Sequence, residues 1–387
     1  MRQVGVADIV EDTFRQLRLH SPDGGWFPVL HRLYWRIAES NLPFIDIFFS
    51  PYLRDVTISP LHSWISSGVP RDIVPVISST ITALPASTLQ SLRVGYGVPW
   101  ADLTDSLSSV ALRCGPSLTE FASPIPLSRA AINHLIHLPH LRIWRLEGPP
   151  PSYSTLQLPP TFPPLTEFAL GGGTTRGWLS LFKRLEGSAP STQGVAPLSG
   201  IKESLKSLEF GGSPGYIINA SFTSTIRIFR NLTFLAMQPD CHDDDYEGRC
   251  PFKLDDDNVA KLSMDLPQLE FLLLGRPCSE NTCATTVACL LPISVYCLKL
   301  SELEIHFNTT NIVHDLKNIS EDPQFQKLRS LPKCSLDNLC VWKIPLAIDE
   351  ADYEAVVDGM IDIFPTMDRC APAEGNSDWE EFSERIA

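Results

Sequence analysis

No stretch of this 387-residue chain is apolar for long enough to cross a membrane. The most apolar segment, residues 287–300, is interrupted by Pro292 and Lys299, whereas a membrane-spanning helix needs about 20 apolar residues. The first residues also lack the apolar core of a secretion signal, because acidic residues such as Glu11 fall among them. We therefore expect no membrane partner and a cytoplasmic or nuclear location.

Positive charge is also in deficit. The chain has 31 lysines and arginines against 45 aspartates and glutamates, which gives a formal net charge of −14. The phosphates of a nucleic acid would repel such a chain. The composition therefore excludes nucleic acid as an expected partner and is compatible with a partner that carries basic residues.

Metal-binding and disulfide spacings are missing as well. None of the ten cysteines forms a C-x-x-C pair, and the nine histidines form no H-x-x-x-H pattern. In a reducing compartment such cysteines serve as small buried apolar residues. We expect reduced thiols, no bound metal and no cofactor.

What the chain does contain is a recurring strand phrase, seen most clearly as LEFLLL at residues 269–274. It reads L-x-x-L-x-L, the core of a leucine-rich repeat. Its second and third leucines point to one face of a short strand, and the residues on either side of the second leucine point to the other. About eleven copies occur, and their first leucines are Leu30, Leu53, Leu89, Leu118, Leu141, Leu165, Leu205, Leu232, Leu269, Leu300 and Leu336.

Segments with helical period separate the copies. One of them, residues 259–266, follows the acidic run 255–257, which suits a helix N-terminus, and another covers residues 350–364. Strand and helix therefore alternate, and parallel strands need such crossovers. Each repeat must stack on its neighbours to bury its apolar face, so Leu272 and Leu303 are expected to be fully buried.

These patterns predict an α/β fold. We expect an irregular leucine-rich-repeat solenoid, a monomer, with a curved parallel β-sheet on the concave side and helices on the convex side. Residues 1–26 are predicted to form an N-terminal helical cap, residues 27–368 the solenoid of about eleven repeats, and residues 369–387 an acidic C-terminal tail.

The phrases LHRLYW, PFIDIFFSPYLRDVTIS, LDDDNVAKLSMDLPQLEFLLLG and LSELEIHF resemble the repeat region of F-box/leucine-rich-repeat proteins of mushroom-forming fungi. The resemblance covers about residues 27 to 368. It implies substrate recognition for a ubiquitin ligase, in which an F-box docks on the ligase's adaptor. The Leu-Pro signature that opens an F-box is not visible in residues 1–26, so we expect this chain to supply the partner-binding half and not to bind the adaptor.

Two alternatives would give the chain a chemical function. Gly211–Gly215 matches the G-x-S-x-G elbow of a hydrolase, with Ser213 as nucleophile. The next residue, Pro214, has no N–H to donate to an oxyanion. Residues 241–250 hold acidic residues, Cys241, His242 and Cys250, which suggests a metal-responsive loop, but a calcium or zinc ligand set is incomplete there. We therefore predict a protein that is not an enzyme.

The concave strand positions indicate where a partner binds. Early repeats place arginines and Tyr34 there, namely Arg32, Arg93 and Arg145. Later repeats place apolar residues inside an acidic rim, namely Phe234, Phe271 and Leu273 with Glu209, Glu302 and Glu304. Exposed apolar groups inside a charged rim are typical of a protein-binding site. We predict that this surface binds a segment with apolar anchors and basic flanks, or else that the loop at residues 239–254 folds over it as a lid.

Overall fold

Strands and helices alternate along the chain as the repeat phrase predicts. The computed structural model describes residues 3–5, 11–20, 22, 26–37, 42–60, 74–95, 103–146, 162–171, 182, 199–211, 218–238, 252–275, 283–341, 350–367 and 369–372. The chain divides into two compact units, the first made of Met1–Gly171 with Arg184–Ile201 and the second of Gly172–Lys183 with Lys202–Ala387.

The described residues of the first unit form seven strands that pair in chain order, each parallel to the next. The strands are β1 (Gln3–Gly5), β2 (Arg32–Ile37), β3 (Asp55–Pro60), β4 (Ser91–Val94), β5 (Glu120–Ser123), β6 (Ile143–Leu146) and β7 (Glu167–Gly171). The helices are α1 (Glu11–Leu19), α2 (Val74–Thr82), α3 (Thr104–Arg113) and α4 (Arg129–Leu135), with 3₁₀ turns at Leu42–Phe48 and Ala86–Thr88. A short helix α5 (Ser199–Ser204) precedes the next strand.

In the part of the second unit that the structure describes, six strands again pair in chain order, each parallel to the next. The strands are β8 (Ser207–Gly211), β9 (Phe234–Gln238), β10 (Phe271–Leu274), β11 (Glu302–Ile305), β12 (Asn338–Val341) and β13 (Arg369–Pro372). The helices are α6 (Ala220–Ile226), α7 (Asp256–Asp265), α8 (Leu290–Tyr296), α9 (Ile312–Glu321), α10 (Pro323–Arg329) and α11 (Glu350–Ile363), with a 3₁₀ turn at Val287–Cys289.

The apolar positions of the phrase form the strand side of the core. All eleven phrases form strands, β2 to β12, and the first residue of every copy is buried. Leu272 and Leu303 are both 0% exposed, as predicted. The predicted α/β fold with parallel strands is therefore confirmed, because stacking is the way a single strand and helix can cover their apolar sides.

The strands extend beyond the repeat phrase at both ends of the chain. Gln3–Gly5 pairs with β2, so the segment predicted as an N-terminal helical cap, residues 1–26, contributes a strand as well as helix α1. Arg369–Pro372 pairs with β12, so the segment predicted as the start of an acidic tail is a strand. An edge strand leaves backbone N–H and C=O groups unpaired, and a short segment of almost any sequence can satisfy them. Three or four residues carry no periodicity that sequence reasoning could detect.

Asp255 caps helix α7, as the acidic run before this helix predicts. Its carboxylate accepts a hydrogen bond from the backbone N–H of Asn258 at 2.8 Å, and the side-chain amide of Asn258 donates to the same oxygen. The cap satisfies one of the free N–H groups of the first helical turn. It also fixes where α7 begins, and α7 contributes the buried residues Val259 and Leu262 to the core.

We expect Asp255→Ala to lower the free energy of unfolding by about 1 kcal/mol, because the N-terminal N–H of α7 loses its acceptor. Asp255→Asn is the matched control, since its amide oxygen accepts the same bond and should retain most of the stability. Urea unfolding of the three proteins measures the difference. An alanine variant as stable as the asparagine variant would contradict the capping role.

Within the described residues, no helix has the length and the apolar character that crossing a bilayer requires.

Candidate functional site

The candidate site lies on the strand face that points away from the phrase's apolar residues, which we call the front face. Each strand contributes the two residues on either side of its second phrase residue, such as Phe271 and Leu273 on β10. In the first unit these side chains reach solvent; Tyr34 is 42% exposed, and Arg93 and Arg145 are also exposed. In the described part of the first unit, helices therefore do not cover this face.

The front face of the first unit is a ladder of ion pairs. Arg32 Nε donates to Asp55 Oδ2 at 2.6 Å, and Arg93 Nη2 donates to Glu120 Oε2 at 2.7 Å. Arg145 pairs with Glu167 in the same way. Each pair joins neighbouring strands, so the three arginines that the early repeats place on this face are paired within the chain.

The acidic partners of this ladder were visible in the sequence but were not predicted as partners. Asp55, Glu120 and Glu167 each stand immediately before the second apolar residue of a phrase. That position faces the same side as the arginines, and the neighbouring strand brings the two together. An arginine in one phrase and an acidic residue in the next are the sequence signal for these ion pairs. The signal can be used only when the strand order is known, because the order shows which phrases are neighbours.

The front face of the second unit has a different character. Phe234 and Phe271 are directly paired on β9 and β10, and their rings stack with centroids 4.5 Å apart and planes 7° apart. Both side chains are partly exposed. The structure thus brings these two predicted residues together as one aromatic surface.

Leu273 is placed differently from its prediction as an exposed anchor. It lies between Ala236 and Glu304 in the second row of the front face, but only 4% of its surface is exposed. The direction of a side chain on a strand does not fix its exposure, because neighbours on both adjacent strands and along its own strand can cover it. Leu273 therefore supports the surface and offers little area to a partner.

Two glutamates border the aromatic pair on β11. Glu302 is directly opposite Phe271 and is exposed, and Glu304 is opposite Leu273 and is half-buried. Burial raises the pKa of Glu304, and the nearby charge of Glu302 raises it further. Among the described residues, neither glutamate takes part in an ion pair. The third predicted acid, Glu209, lies on β8 opposite Ala236.

Three predictions fall on segments outside the described residues. They are the hydrolase nucleophile Ser213, the metal-responsive loop at residues 241–250, and the lid, of which residues 239–251 are not described. The end of that lid segment is described: Phe252 is buried and forms a parallel bridge with Ile218. The lid, the hydrolase and the metal-responsive loop therefore stay predictions.

The described part of the chain contains no group of three histidine, cysteine or acidic side chains that could hold a metal ion. Its cysteines are free thiols, and all except Cys340 are buried. Burial raises the pKa of the Cys297 thiol to about 12, and a thiol in that form is a poor nucleophile and metal ligand. The buried cysteines act as apolar core residues.

Sequence reasoning missed His306, which follows β11 and is 0% exposed. Among the described residues neither ring nitrogen has a hydrogen-bond partner, and burial lowers the pKa of the imidazole to about 4. Gly275 gives it room, since a Cβ on that glycine would lie 3.0 Å from the His306 Cβ. Gly275 also has a φ of +89°, a conformation that side-chain-bearing residues rarely adopt.

No model of a known protein family matches the chain, and no curated protein matches its sequence. The best indication of function is the front face of the second unit, where the stacked aromatic pair is partly exposed and neither Glu302 nor Glu304 takes part in an ion pair among the described residues.

Proposed function

We propose that this protein is a non-enzymatic protein-interaction module, a leucine-rich-repeat solenoid similar to the substrate-recognition half of an F-box/leucine-rich-repeat ubiquitin-ligase adaptor. Its binding site is the front face of the second unit, centred on Phe234 and Phe271 and bordered by Glu302 and Glu304. The segment it binds carries an apolar anchor and basic flanks.

The stacked aromatic pair is the observation that carries this proposal. Two phenylalanine rings that remain partly exposed on a sheet face leave apolar surface in water, which is unfavourable by about 25 cal/mol per Å². A partner that covers them recovers that free energy, and buried aromatic anchors dominate the affinity of many protein interfaces. The neighbouring glutamates favour a basic partner through their charge.

The alternation of strand and helix through both units also supports a binding role. The described phrases supply side chains to the core and to the front face, so no described segment is set aside as a catalytic domain. Residues that bind by surface complementarity can be spread over several strands in this way. The hydrolase alternative would need helices on both faces of the sheet around β8, whereas Phe234 and Glu302 on the front face of the same unit reach solvent.

Partner capture with a front-face variant tests the proposal. The full-length chain, Phe271→Ala and Tyr52→Ala are each immobilised and exposed to an extract of the source cells, and bound proteins are identified by mass spectrometry. Tyr52 is the matched control, because it is an aromatic residue that is 55% exposed in the first unit. We expect a partner that the wild type and Tyr52→Ala retain and Phe271→Ala releases.

With that partner purified, we expect Phe271→Ala to weaken binding by about 1 kcal/mol or more, roughly fivefold in Kd, because it removes half of the aromatic surface. Isothermal titration measures the change, and a thermal melt of each variant verifies that it is folded. Equal affinity of the folded Phe271→Ala variant would remove this surface from consideration.

A further inference from the structure

We propose that the partner binds through an arginine, whose guanidinium stacks on Phe271 and is held by the carboxylates of Glu302 and Glu304. This inference rests on the proposed function, because it names the chemistry of the segment that the same surface receives.

The geometry of the aromatic pair leaves a defined position for a planar group. The rings of Phe234 and Phe271 come from directly paired positions, with centroids 4.5 Å apart and planes 7° apart. Their separation is close to the spacing of neighbouring strands, about 4.8 Å, so the rings stack along the direction that leads from strand to strand. The side of the Phe271 ring that is turned away from Phe234 is therefore directed towards β11.

The residue of β11 at that position is Glu302, which pairs directly with Phe271. A planar cation on this side of the Phe271 ring would continue the stack by one step and lie above the Glu302 carboxylate. Glu304 is two residues further along the same strand and faces the same side. Two carboxylates and one ring face therefore border the same part of the front face.

The electrostatics of the two glutamates favour a cation there. Glu304 is half-buried, and its pKa is raised first by burial and then by the charge of Glu302. Both causes are penalties on the ionised carboxylate, and a bound cation would offset both. Among the described residues no arginine or lysine pairs with either glutamate, and Arg369, the nearest front-face arginine in register, is two strands away from Glu302.

The first unit shows how this chain satisfies front-face carboxylates elsewhere. Asp55, Glu120 and Glu167 are each paired with an arginine on an adjacent strand. On β10, the strand next to Glu302, the corresponding positions hold Phe271 and Leu273 instead of arginine. The arginine that would complete the pattern is absent from these positions, and we infer that the partner supplies it.

Arginine fits this position better than lysine does. Its guanidinium is planar, stacks on aromatic rings and can bond a carboxylate through two N–H groups at once. A lysine ammonium is a more strongly hydrated point charge and gains less from the ring. The site therefore predicts discrimination between the two basic residues as well as a preference for positive charge.

The test uses short random peptides displayed on phage and selected against the full-length chain. The tightest peptide is synthesised in three forms, with its arginine intact, replaced by lysine or replaced by citrulline, which keeps the planar shape but has no charge. Each form is titrated against the wild type, Glu302→Gln, Glu304→Gln and the double variant. Glu354→Gln, an exposed glutamate on α11, is the matched control, and thermal melts verify that all variants are folded.

We expect the citrulline form to bind the wild type about tenfold more weakly than the arginine form, because charge-assisted hydrogen bonds are lost. The lysine form should be intermediate. Glu302→Gln and Glu304→Gln should weaken the arginine form, and the double variant should no longer distinguish arginine from citrulline. Glu354→Gln should bind all three forms as the wild type does.

Two other outcomes separate this inference from the proposed function. The selected peptides could fail to bind Phe271→Ala and yet contain no arginine, or bind equally well with citrulline in its place. That result would overturn the proposed arginine contact and leave the aromatic binding site standing. If no selected peptide responds to Phe271→Ala or to either glutamine variant, both the arginine and the site are overturned. Equal binding of the lysine and arginine forms would overturn the stacking on Phe271.

Discussion

Replacing Leu272 with alanine is expected to lower the free energy of unfolding by about 2–5 kcal/mol, because it leaves a cavity in a packed core. Leu272 is the second apolar residue of the β10 phrase and is 0% exposed. It is directly paired with Leu235 on β9 and Leu303 on β11. The three form one row of the core, so the surrounding side chains have little freedom to close the gap.

Urea unfolding measures this loss, with Leu298→Ala as the matched control. Leu298 carries the same side chain but is 52% exposed, at the end of helix α8, and its truncation removes little buried area. We expect a change well under 1 kcal/mol for the control, as for most surface substitutions. A loss of similar size in both variants would mean that the β10 row is not part of a close-packed core.

The second large effect is a loss of stability in acid that depends on His306. The pKa of the buried imidazole is lowered to about 4 by burial, whereas an unfolded histidine has a pKa of about 6.5. Between these values the unfolded chain binds the proton and the folded chain does not. The contribution of His306 is therefore complete above about pH 6.5 and is lost as the pH falls towards 4, by about 3 kcal/mol in total.

The cause of this shift is local. Gly275 lies beside the Cβ of His306 and also beside the Phe252 ring, and the Cys283 thiol lies 3.5 Å from the His306 carbonyl oxygen. Burial is the cause of the lowered pKa of His306. Folding thus places the ring in apolar surroundings where the charged form has no compensating partner among the described residues.

His306→Leu and His306→Gln, neither of which titrates, test this prediction. The free energy of unfolding is measured at pH 7.5 and 4.5, and the wild type should lose more stability between them than either variant. The change in stability must be compared between the wild type and the two variants. Glu304, Asp256 and Asp315 have raised pKa values, so they change the stability with pH in the opposite direction, and they do so in all three proteins. The same pH dependence in the wild type and both variants would show that other groups carry the acid sensitivity.

The core of the fold was accessible from sequence because it depends on local periodicity. The phrase around Leu272 specifies a strand whose Leu272 and Leu274 share the core face, and the acidic run at Asp255 specifies where the preceding helix begins. Repetition of these signals predicts parallel stacking, since each unit needs a neighbour to cover it. By contrast, β1 and β13 pair through backbone groups at the ends of the described strand order, and their sequences contain no such signal.

The sequence by itself determined which residues share the front face, because alternation along a strand is a property of the chain. Only the tertiary structure decided what those residues do there. Strand register brings Arg93 to Glu120 and stacks Phe234 on Phe271. Alternation directs Leu273 and His306 to the front face as well, but packing buries them. Pairing and burial depend on groups about thirty residues apart along the chain, and local pattern cannot specify how those groups meet.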